Sequence, residues 1–384
     1  MLEFGVDEIT LVLQLSPIIK GQIVLSDWCD IAEDMIYRFV DKSGFKTIYG
    51  DVILEERPPS GYTIAYTYGE HNFYLAVAYH QFQVRMGVVI KFSAQALDYY
   101  CEASGLKVYE FIQLIKDNYY TIRLSRIDLT ADYIDEDINV TTIYQNFIDN
   151  KVGVFREHIS EKTGELSYRR CDMQYQGFIN GQEVPTIYLG SVKSNSRLRI
   201  YDKKREQMER KGSKLEKAKK CHDWTRVEGV FRHEFAHQIS DRLLKISTDD
   251  EFANLIACTI IQKFRLMYID SGVIDCDTEY SQMLLDSITN QNFALKSPSS
   301  RNYDIAKSLA YLFSGSGVIS TLYKIKAIWG ADAISELLLF IEEYLDEWIQ
   351  NDDCRYWLRK NTADYRKNYP DFDMVLKNNI MPML

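Results

Sequence analysis

Tyr201 stands among cations in the run Arg197-Leu198-Arg199-Ile200-Tyr201-Asp202-Lys203-Lys204-Arg205-Glu206. Read as a strand, the run points Leu198 and Ile200 into a core and puts Arg197, Arg199, Tyr201 and Lys203 on the opposite face. A phenol held between cations suits attack on a phosphodiester. The cations hold the phosphate, favour the phenolate and offset the charge that builds on the transferring phosphoryl group. A plain amphipathic strand with an exposed tyrosine has the same pattern, and the chain has 27 tyrosines. The nucleophile therefore needs support from elsewhere in the sequence.

Two further strand-like segments supply it. Within 122–132, Ile127, Leu129 and Ala131 form one face, and Arg126, Asp128, Thr130 and Asp132 form the other. Carboxylates two residues apart on one strand face are roughly 7 Å apart, close enough to share a hard cation. In Trp224-Thr225-Arg226-Val227-Glu228, the residues Trp224, Arg226 and Glu228 share a face. Clustered carboxylates repel one another unless Mg²⁺ or Mn²⁺ lies between them, and the ion then acts as a Lewis acid for phosphoryl transfer.

Taken in order, Arg126-Ile127-Asp128-Leu129, Thr186-Ile187-Tyr188-Leu189-Gly190-Ser191, the run Leu198 to Glu206 and Trp224-Thr225-Arg226-Val227-Glu228 resemble the Rep_trans family. Its members are rolling-circle replication initiators of small plasmids and related relaxases of integrative and conjugative elements. Val6-Asp7-Glu8-Ile9-Thr10-Leu11-Val12 resembles the family's N-terminal strand, and Met86 to Phe92 the strand before the first acidic motif. The resemblance runs from about residue 5 to about residue 240 and matches the tail poorly.

The resemblance implies a site-specific enzyme that nicks and transfers a DNA strand. Tyr201 would attack a phosphodiester, keep the 5′ phosphate as a phosphotyrosine and free a 3′ hydroxyl for a polymerase. Asp128, Asp132 and Glu228 would hold Mg²⁺ or Mn²⁺, and Arg199, Lys203 and Lys204 would clamp phosphate. Arg126 and Arg226 would either orient the carboxylates or bind the DNA strand. Asp7 lies on a motif-like strand and is equally readable as a strand end. The family also implies a homodimer and a host helicase. No helix-turn-helix module precedes the catalytic part, which favours the replication initiator over the conjugative relaxase.

The net charge of −10 is unusual for a DNA-binding chain, but the charge is unevenly distributed. From Lys193 to Lys220 there are twelve Lys and Arg against four Asp and Glu, an excess of +8 that leaves −18 for the remainder. A basic strip beside the candidate nucleophile can bind one strand locally while the acidic remainder discourages nonspecific coating. Seven cysteines, with no Cys-x-x-Cys pair, indicate reduced thiols in a cytoplasm rather than a disulfide framework or a zinc ribbon. There is no basic leader at the N-terminus and no apolar run near the roughly 18 residues of a membrane span.

The sharpest competing motif is His233-Glu234-Phe235-Ala236-His237, a literal H-E-x-x-H. On a helix the two histidines would face one Zn²⁺ while the glutamate activated water, as in a zinc metallopeptidase. Arg232 before the motif and the lack of a third histidine at the expected spacing count against it. No phosphate loop and no His-x-His pair occur, so a helicase motor and a two-histidine nickase are not expected. A non-catalytic DNA-binding module, with Tyr201 merely touching phosphate, is the remaining alternative.

The elements that must position these residues read as an α+β fold. Strands are expected at Ile9–Leu15, Thr63–Tyr68, Phe73–Val77 and Val84–Phe92, with helices at Trp28–Phe39 and Ala94–Tyr119. A second set follows, with strands at 122–132, 167–178, 186–191, 197–203 and 224–232 and helices near 140–150 and 204–220. The repetition suggests curved antiparallel sheets in two similar halves, 1–115 and 116–245, the second carrying the nicking site. Apolar-periodic runs at 250–270, 304–313, 318–329 and 331–349 predict a helical C-terminal domain over 246–384. The segment 287–302 is the expected internal loop, and Gly315-Ser316-Gly317 a turn between helices.

Overall fold

Alternation of apolar and polar residues over 14 and 15 residues makes two unusually long strands, and the first compact unit is built around their pairing. The computed structural model describes residues 1–20, 28–159, 165–289, 295, 305–350 and 352–377. The first long strand, β1 (Leu2–Leu15), is followed by helices α1 (Pro17–Lys20), α2 (Trp28–Ser43) and α3 (Phe45–Tyr49). Strands β2 (Val52–Leu54), β3 (Ile64–Tyr68), β4 (Leu75–Tyr79) and β5 (Val88–Phe92) come next, then α4 (Ala94–Ser104) and α5 (Val108–Leu114).

The second long strand, β6 (Tyr120–Ile134), opens a similar series. It continues through α6 (Val140–Ile148), β7 (Val152–Ile159), β8 (Leu166–Arg170), β9 (Tyr175–Asn180), β10 (Glu183–Leu189) and β11 (Ser196–Asp202). Helices α7 (Lys203–Arg210) and α8 (Leu215–Lys220) then lead into β12 (Trp224–Arg232). The unit is completed by α9 (Glu234–Leu243), α10 (Asp249–Phe264), β13 (Arg265–Asp270), β14 (Val273–Asp277) and α11 (Glu279–Asp286).

The main sheet has the order β2-β3-β4-β5-β1-β6-β12-β11-β10-β9, antiparallel throughout. Each half repeats one plan. A long first strand pairs with the last strand of its half, and the earlier strands meander outward from there. The repetition expected from the sequence is thus present as topology. A smaller antiparallel sheet has the order β14-β13-β7-β8.

One face of the main sheet carries the core. Ile9, Leu11 and Leu13 of β1, Ile127, Leu129 and Ala131 of β6, and Leu198 and Ile200 of β11 are buried there. They pack with Phe39 of α2, Phe111 of α5, Ile239 of α9 and Ile256 of α10. Because side chains alternate along a strand, this burial sends Asp128, Asp132, Tyr201, Arg226 and Glu228 to the other face.

Four expectations about elements are corrected. The helix expected over Ala94–Tyr119 is two helices, parted where Gly105 adopts φ 72° and its N–H bonds Cys101 O. The helix expected near 204–220 likewise breaks after Arg210, at Lys211 with φ 49°. The strand expected over 167–178 is two strands in different sheets, β8 pairing with β7 and β9 with β10. The apolar run 250–270 is helical only to Phe264 and then becomes β13, which pairs with β7. Arg265, at that junction, donates Nε and Nη2 to the two oxygens of Asp277, each at 2.7 Å, so strand pairing and a buried ion pair override helical periodicity.

The first compact unit runs from Met1 to Lys296, so α10, β13, β14 and α11 belong to it and not to the tail. The second unit, Ser297–Leu384, holds α12 (Ile305–Ser314), α13 (Val318–Trp329), α14 (Asp332–Glu347), α15 (Asp352–Asn368) and α16 (Phe372–Val375). Gly315-Ser316-Gly317 joins α12 to α13 as a turn, with Gly317 at φ 78°. Most of the expected loop 287–302 lies outside the described residues. No helix among the described residues is long and apolar enough to cross a membrane.

Two glycines test the backbone account. Both Gly44 (φ 68°) and Gly69 (φ 64°) are left-handed, but a Cβ on Gly44 meets nothing within 4 Å, whereas one on Gly69 would lie 1.8 Å from Tyr49 O. Gly44→Ala should therefore cost only the conformational term of about 1–2 kcal/mol. Gly69→Ala adds a clash with fixed backbone and should cost at least about 3 kcal/mol. Midpoints of urea unfolding would check the difference, and equal losses would refute it.

Candidate active site

The register of β1, β6, β12 and β11 assembles a single polar patch from residues far apart in sequence. Arg226 of β12 stands opposite Asp132 on one side and Tyr201 on the other. Glu228 stands opposite Thr130 and Arg199. On β1 the register shifts between Val6 and Ile9, which pair with Leu129 and Ile127, so Asp7 and Glu8 together oppose Asp128. This β-bulge turns two carboxylates onto the patch where regular alternation would deliver one.

Each carboxylate meets an arginine. Arg226 donates Nε to Asp132 Oδ1 at 2.6 Å and Nη2 to Oδ2 at 2.7 Å, and its Nη1 bonds Asp7. Arg126 donates Nε to Asp128 Oδ1 at 3.0 Å and Nη2 to Oδ2 at 2.6 Å, and its Nη1 bonds Glu8. Arg199 Nη2 lies 3.2 Å from Glu228 Oε2, an ion pair without hydrogen-bond alignment. Glu228 Oε2 and Arg199 Nε are consequently both buried with no hydrogen-bond partner.

Tyr201 is 3% exposed. Its hydroxyl oxygen accepts from Lys203 Nζ at 3.3 Å, and the Arg199 guanidinium stacks 4.0 Å from its ring centroid. Lys203 is the first residue of α7, whose start is capped by the Asp202 side chain accepting from Arg205 N. That cap fixes the turn from β11 into α7, and with it the ammonium over the phenol. A pocket of about 200 Å³, lined in part by Tyr201, Thr186, Tyr188 and Arg210, opens beside the hydroxyl.

Burial dominates the electrostatics. It raises the Asp128 carboxyl to about 6, against the pull of Arg126 and helped by Glu8 and Asp7. Glu228 is pushed to about 8 by burial, with Asp7 and Asp128 adding repulsion that Arg199 and Arg226 only partly offset. Asp132 behaves oppositely: burial pushes it up, but Arg226 outweighs burial and holds it below the usual carboxylate range. The Tyr201 phenol is raised well above its ordinary value by burial, despite the opposing charges of Arg226 and Arg199. The expectation that neighbouring cations favour the phenolate is therefore not met in the free chain, because desolvation exceeds their attraction.

These facts sort the expected site residues. Tyr201, Arg199, Lys203, Asp128, Glu228, Arg126 and Arg226 share the patch. Arg126 and Arg226 are committed to carboxylates, and Arg226, 3% exposed, is not available to a DNA strand. Asp132 is on the patch too, with both its oxygens on Arg226 as both Asp128 oxygens are on Arg126. Lys204 lies elsewhere: it donates to Cys221 O at 3.0 Å and His222 O at 2.9 Å, tying down the loop between α8 and β12. A lysine beside Lys203 on a helix points about 100° away, so it cannot share the phenol.

A hard divalent cation fits part of this set. Asp7 raises the proton affinity of Asp128, both raise that of Glu228, and Glu228 Oε2 is a buried acceptor with no hydrogen bond to satisfy it. Asp132 differs from them in its electrostatics: Arg226 holds its carboxyl below the usual carboxylate range. Among the described residues, the side chains whose ligand atoms all lie within 4.8 Å of one another are exposed Asp137 and His222 and half-buried Asp223, on loops near Trp224. The H-E-x-x-H motif does not form a zinc-binding helical pair. His233 is the residue before α9, with φ 51°, and only His237 lies on the helix.

Two residues of the patch outside the expected set are Asp7 and Glu8. The sequence does carry a signal for them: Val6 and Ile9 both pack toward the core although three residues apart, a spacing that requires a bulge in a strand.

The sequence matches the model of the family described as Rep_trans, replication initiation factor, over residues 122–338. The match takes in Asp128, Tyr201 and Glu228 and continues into the helical second unit, well past residue 240. Among solved structures, a rolling circle replication initiator protein from Geobacillus stearothermophilus is similar, with a TM-score of 0.50 and 14% identity. That likeness covers 77% of this chain and 100% of the other, and at this identity it shows the fold. No curated protein matches the sequence. With more than half of its length in the family match and the fold of an initiator, this chain belongs to the Rep_trans family of replication initiation factors.

Proposed function

We propose that the chain nicks one DNA strand at a specific site and keeps its 5′ end as a phosphotyrosine at Tyr201, starting rolling-circle replication of a plasmid or other mobile element. The observation that carries this reading is a phenol held by Lys203 and Arg199 on one face with a cluster of buried carboxylates, within a chain of the replication initiation factor family. Conjugative transfer would use the same chemistry on a different origin.

In this reading the Tyr201 oxygen bonds to phosphorus while the bond from phosphorus to the 3′ oxygen breaks. The phenol loses its proton, and the departing 3′ oxygen gains one. One phosphodiester replaces another, so the step needs no external energy and can be reversed to rejoin a strand. Lys203 stabilises the phenolate as it forms, and Arg199 sits where it can meet charge on the phosphoryl oxygens. A Mg²⁺ or Mn²⁺ ion held by Asp128, Glu228 and Asp7 would supply Lewis-acid stabilisation of that charge. Asp132 acts at one remove, by holding Arg226 in place beside the phenol. The freed 3′ hydroxyl would serve a host polymerase, with a host helicase opening the duplex and a second copy of the chain as partner.

Tyr201→Phe should abolish nicking of supercoiled origin DNA and covalent attachment on a denaturing gel, while leaving the urea midpoint near that of the parent. Near-normal nicking by this variant would move the nucleophile elsewhere. Excess chelator should stop nicking, Mg²⁺ or Mn²⁺ should restore it, and Asp128→Ala should lower it at least about 100-fold. Activity that is indifferent to chelator would sink the metal assignment.

Charge crowding makes a separate prediction for the metal-free chain. Glu228 has a folded value near 8, above its ordinary 4.5, so its contribution to stability is fully present below about 4.5 and is lost as pH rises through 8. Glu228→Gln removes that loss and should be more stable than the parent at pH 8 by more than about 1 kcal/mol, with little difference at pH 4. Parallel stability curves for the two proteins would show that the carboxyl is not held protonated.

A further inference from the structure

The polar face does not stop at Tyr201. Cross-strand pairing carries it outward along two rows. In one, Arg226, Tyr201, Thr186 and Phe178 lie side by side, and in the next Glu228, Arg199, Tyr188 and Gln176 do. Residues paired across antiparallel strands share a face, so Phe178 and Tyr188 belong to the same surface as the phenol. Phe178 lies two strand spacings from Tyr201, roughly 10 Å.

Exposure rises steadily along these rows. Tyr201 is 3% exposed, Thr186 and Tyr188 are half-buried, and Phe178 on the outermost strand is 56% exposed. Phe178 and Tyr188 meet edge to face, with ring centroids 5.8 Å apart. Arg197 lies 4.0 Å from the Tyr188 centroid, as Arg199 does from Tyr201, giving an alternation of guanidinium and aromatic ring across β10 and β11.

The cation at this end is not neutralised as those at the centre are. Arg126, Arg199 and Arg226 have carboxylate partners, but Arg197 has none among the described residues and its Nε is buried without a hydrogen bond. Aromatic faces flanking an unneutralised arginine, continuous with a buried phenol, match the chemistry of a strand with unpaired bases: phosphates meet guanidinium groups and bases stack on rings. A duplex cannot use such a surface, because its bases already stack on one another.

Resting on the reading of Tyr201 as the nucleophile, we propose that the outer face of β9, β10 and β11 is a platform for single-stranded DNA beside the scissile phosphate. Phe178 and Tyr188 stack bases, and Arg197 holds the backbone. The platform makes Phe178 and Tyr188 positioning residues that touch bases rather than the reacting atoms.

The test is anisotropy of a fluorescein-labelled oligothymidylate of about 15 nucleotides, a length near the upper site size for single-strand modules. The full chain is titrated in chelator so that nothing is cleaved, with a duplex of the same length as comparison. The parent should prefer the single strand, and Phe178→Ala and Tyr188→Ala should each weaken it by about 5-fold or more. Tyr188→Phe should bind as the parent does, since stacking needs the ring and not the hydroxyl. Ile179→Ala, exposed on the opposite side of β9, should also leave binding unchanged. Arg197→Ala should weaken binding and flatten its salt dependence by about 0.7 in the log–log slope. Equal affinity for duplex and single strand, or parent-like binding by both alanine variants, would overturn the platform. The readout is independent of the nucleophile. If Tyr201→Phe still nicks while the aromatic variants lose the oligonucleotide, the platform survives and the Tyr201 assignment falls. If the variants bind normally while Tyr201→Phe is dead, the reverse holds.

Discussion

The buried guanidinium of Arg226 is the constraint on which the site depends. At 3% exposure an unpaired charge costs several kcal/mol, and removing one partner of such a pair typically costs about 3–5 kcal/mol. Asp132 takes two of its donors from β6 and Asp7 a third from β1, so one side chain on β12 ties three strands together. A slip of one residue between β12 and either neighbour would turn Arg226 toward the helices and strand both carboxylates. The register that satisfies Arg226 is also the register that sets Tyr201 opposite it.

The division of the sheet into two faces follows from the same register. Helices cover the face with Ile127, Leu129 and Ile200, and they can do so because the charged groups of the site have been sent to the other side. On that side charge is plentiful and water is scarce, which raises the proton affinity of Asp128, Glu228 and Tyr201 together. A site whose phenol keeps its proton is quiescent until something positive or something phosphorylated enters it. The outward gradient in exposure toward β9 gives such a ligand a way in without opening the core.

The bulge in β1 solves a counting problem. Three arginines, at 126, 199 and 226, converge on the patch, and the regular strands deliver Asp128, Asp132 and Glu228. Asp7 and Glu8 add two carboxylates from a single irregularity. That surplus leaves Glu228 Oε2 without a hydrogen bond. A regular β1 would give a quieter ion-pair network and a weaker cation site. Family membership and site thus meet at particular residues, since Asp128, Arg199, Tyr201 and Glu228 all fall within the matched region 122–338.

By itself the sequence determined the two-face pattern of β6, β11 and β12, the order of the motifs and the helical character of the second unit. Periodicity of two or of 3.6 is local information, and it sufficed to place Asp128, Tyr201, Arg226 and Glu228 on one kind of face. What it lacked was the partner of each charge. Asp132 reads like Asp128 in sequence, yet register sets Asp132 beside buried Arg226, which holds its carboxyl low, and sets Asp128 beside Asp7 and Glu8, which help burial raise it. Lys204 reads like Lys203, yet the turn into α7 sends it to the carbonyls of Cys221 and His222. The run 250–270 reads as one helix, yet its last six residues form β13, and Arg265 to Tyr268 pair with β7, contributed from about a hundred residues earlier. Tertiary structure also decided the protonation of the site, because desolvation depends on what lies above and below a group, and the chain's local order carries no record of that.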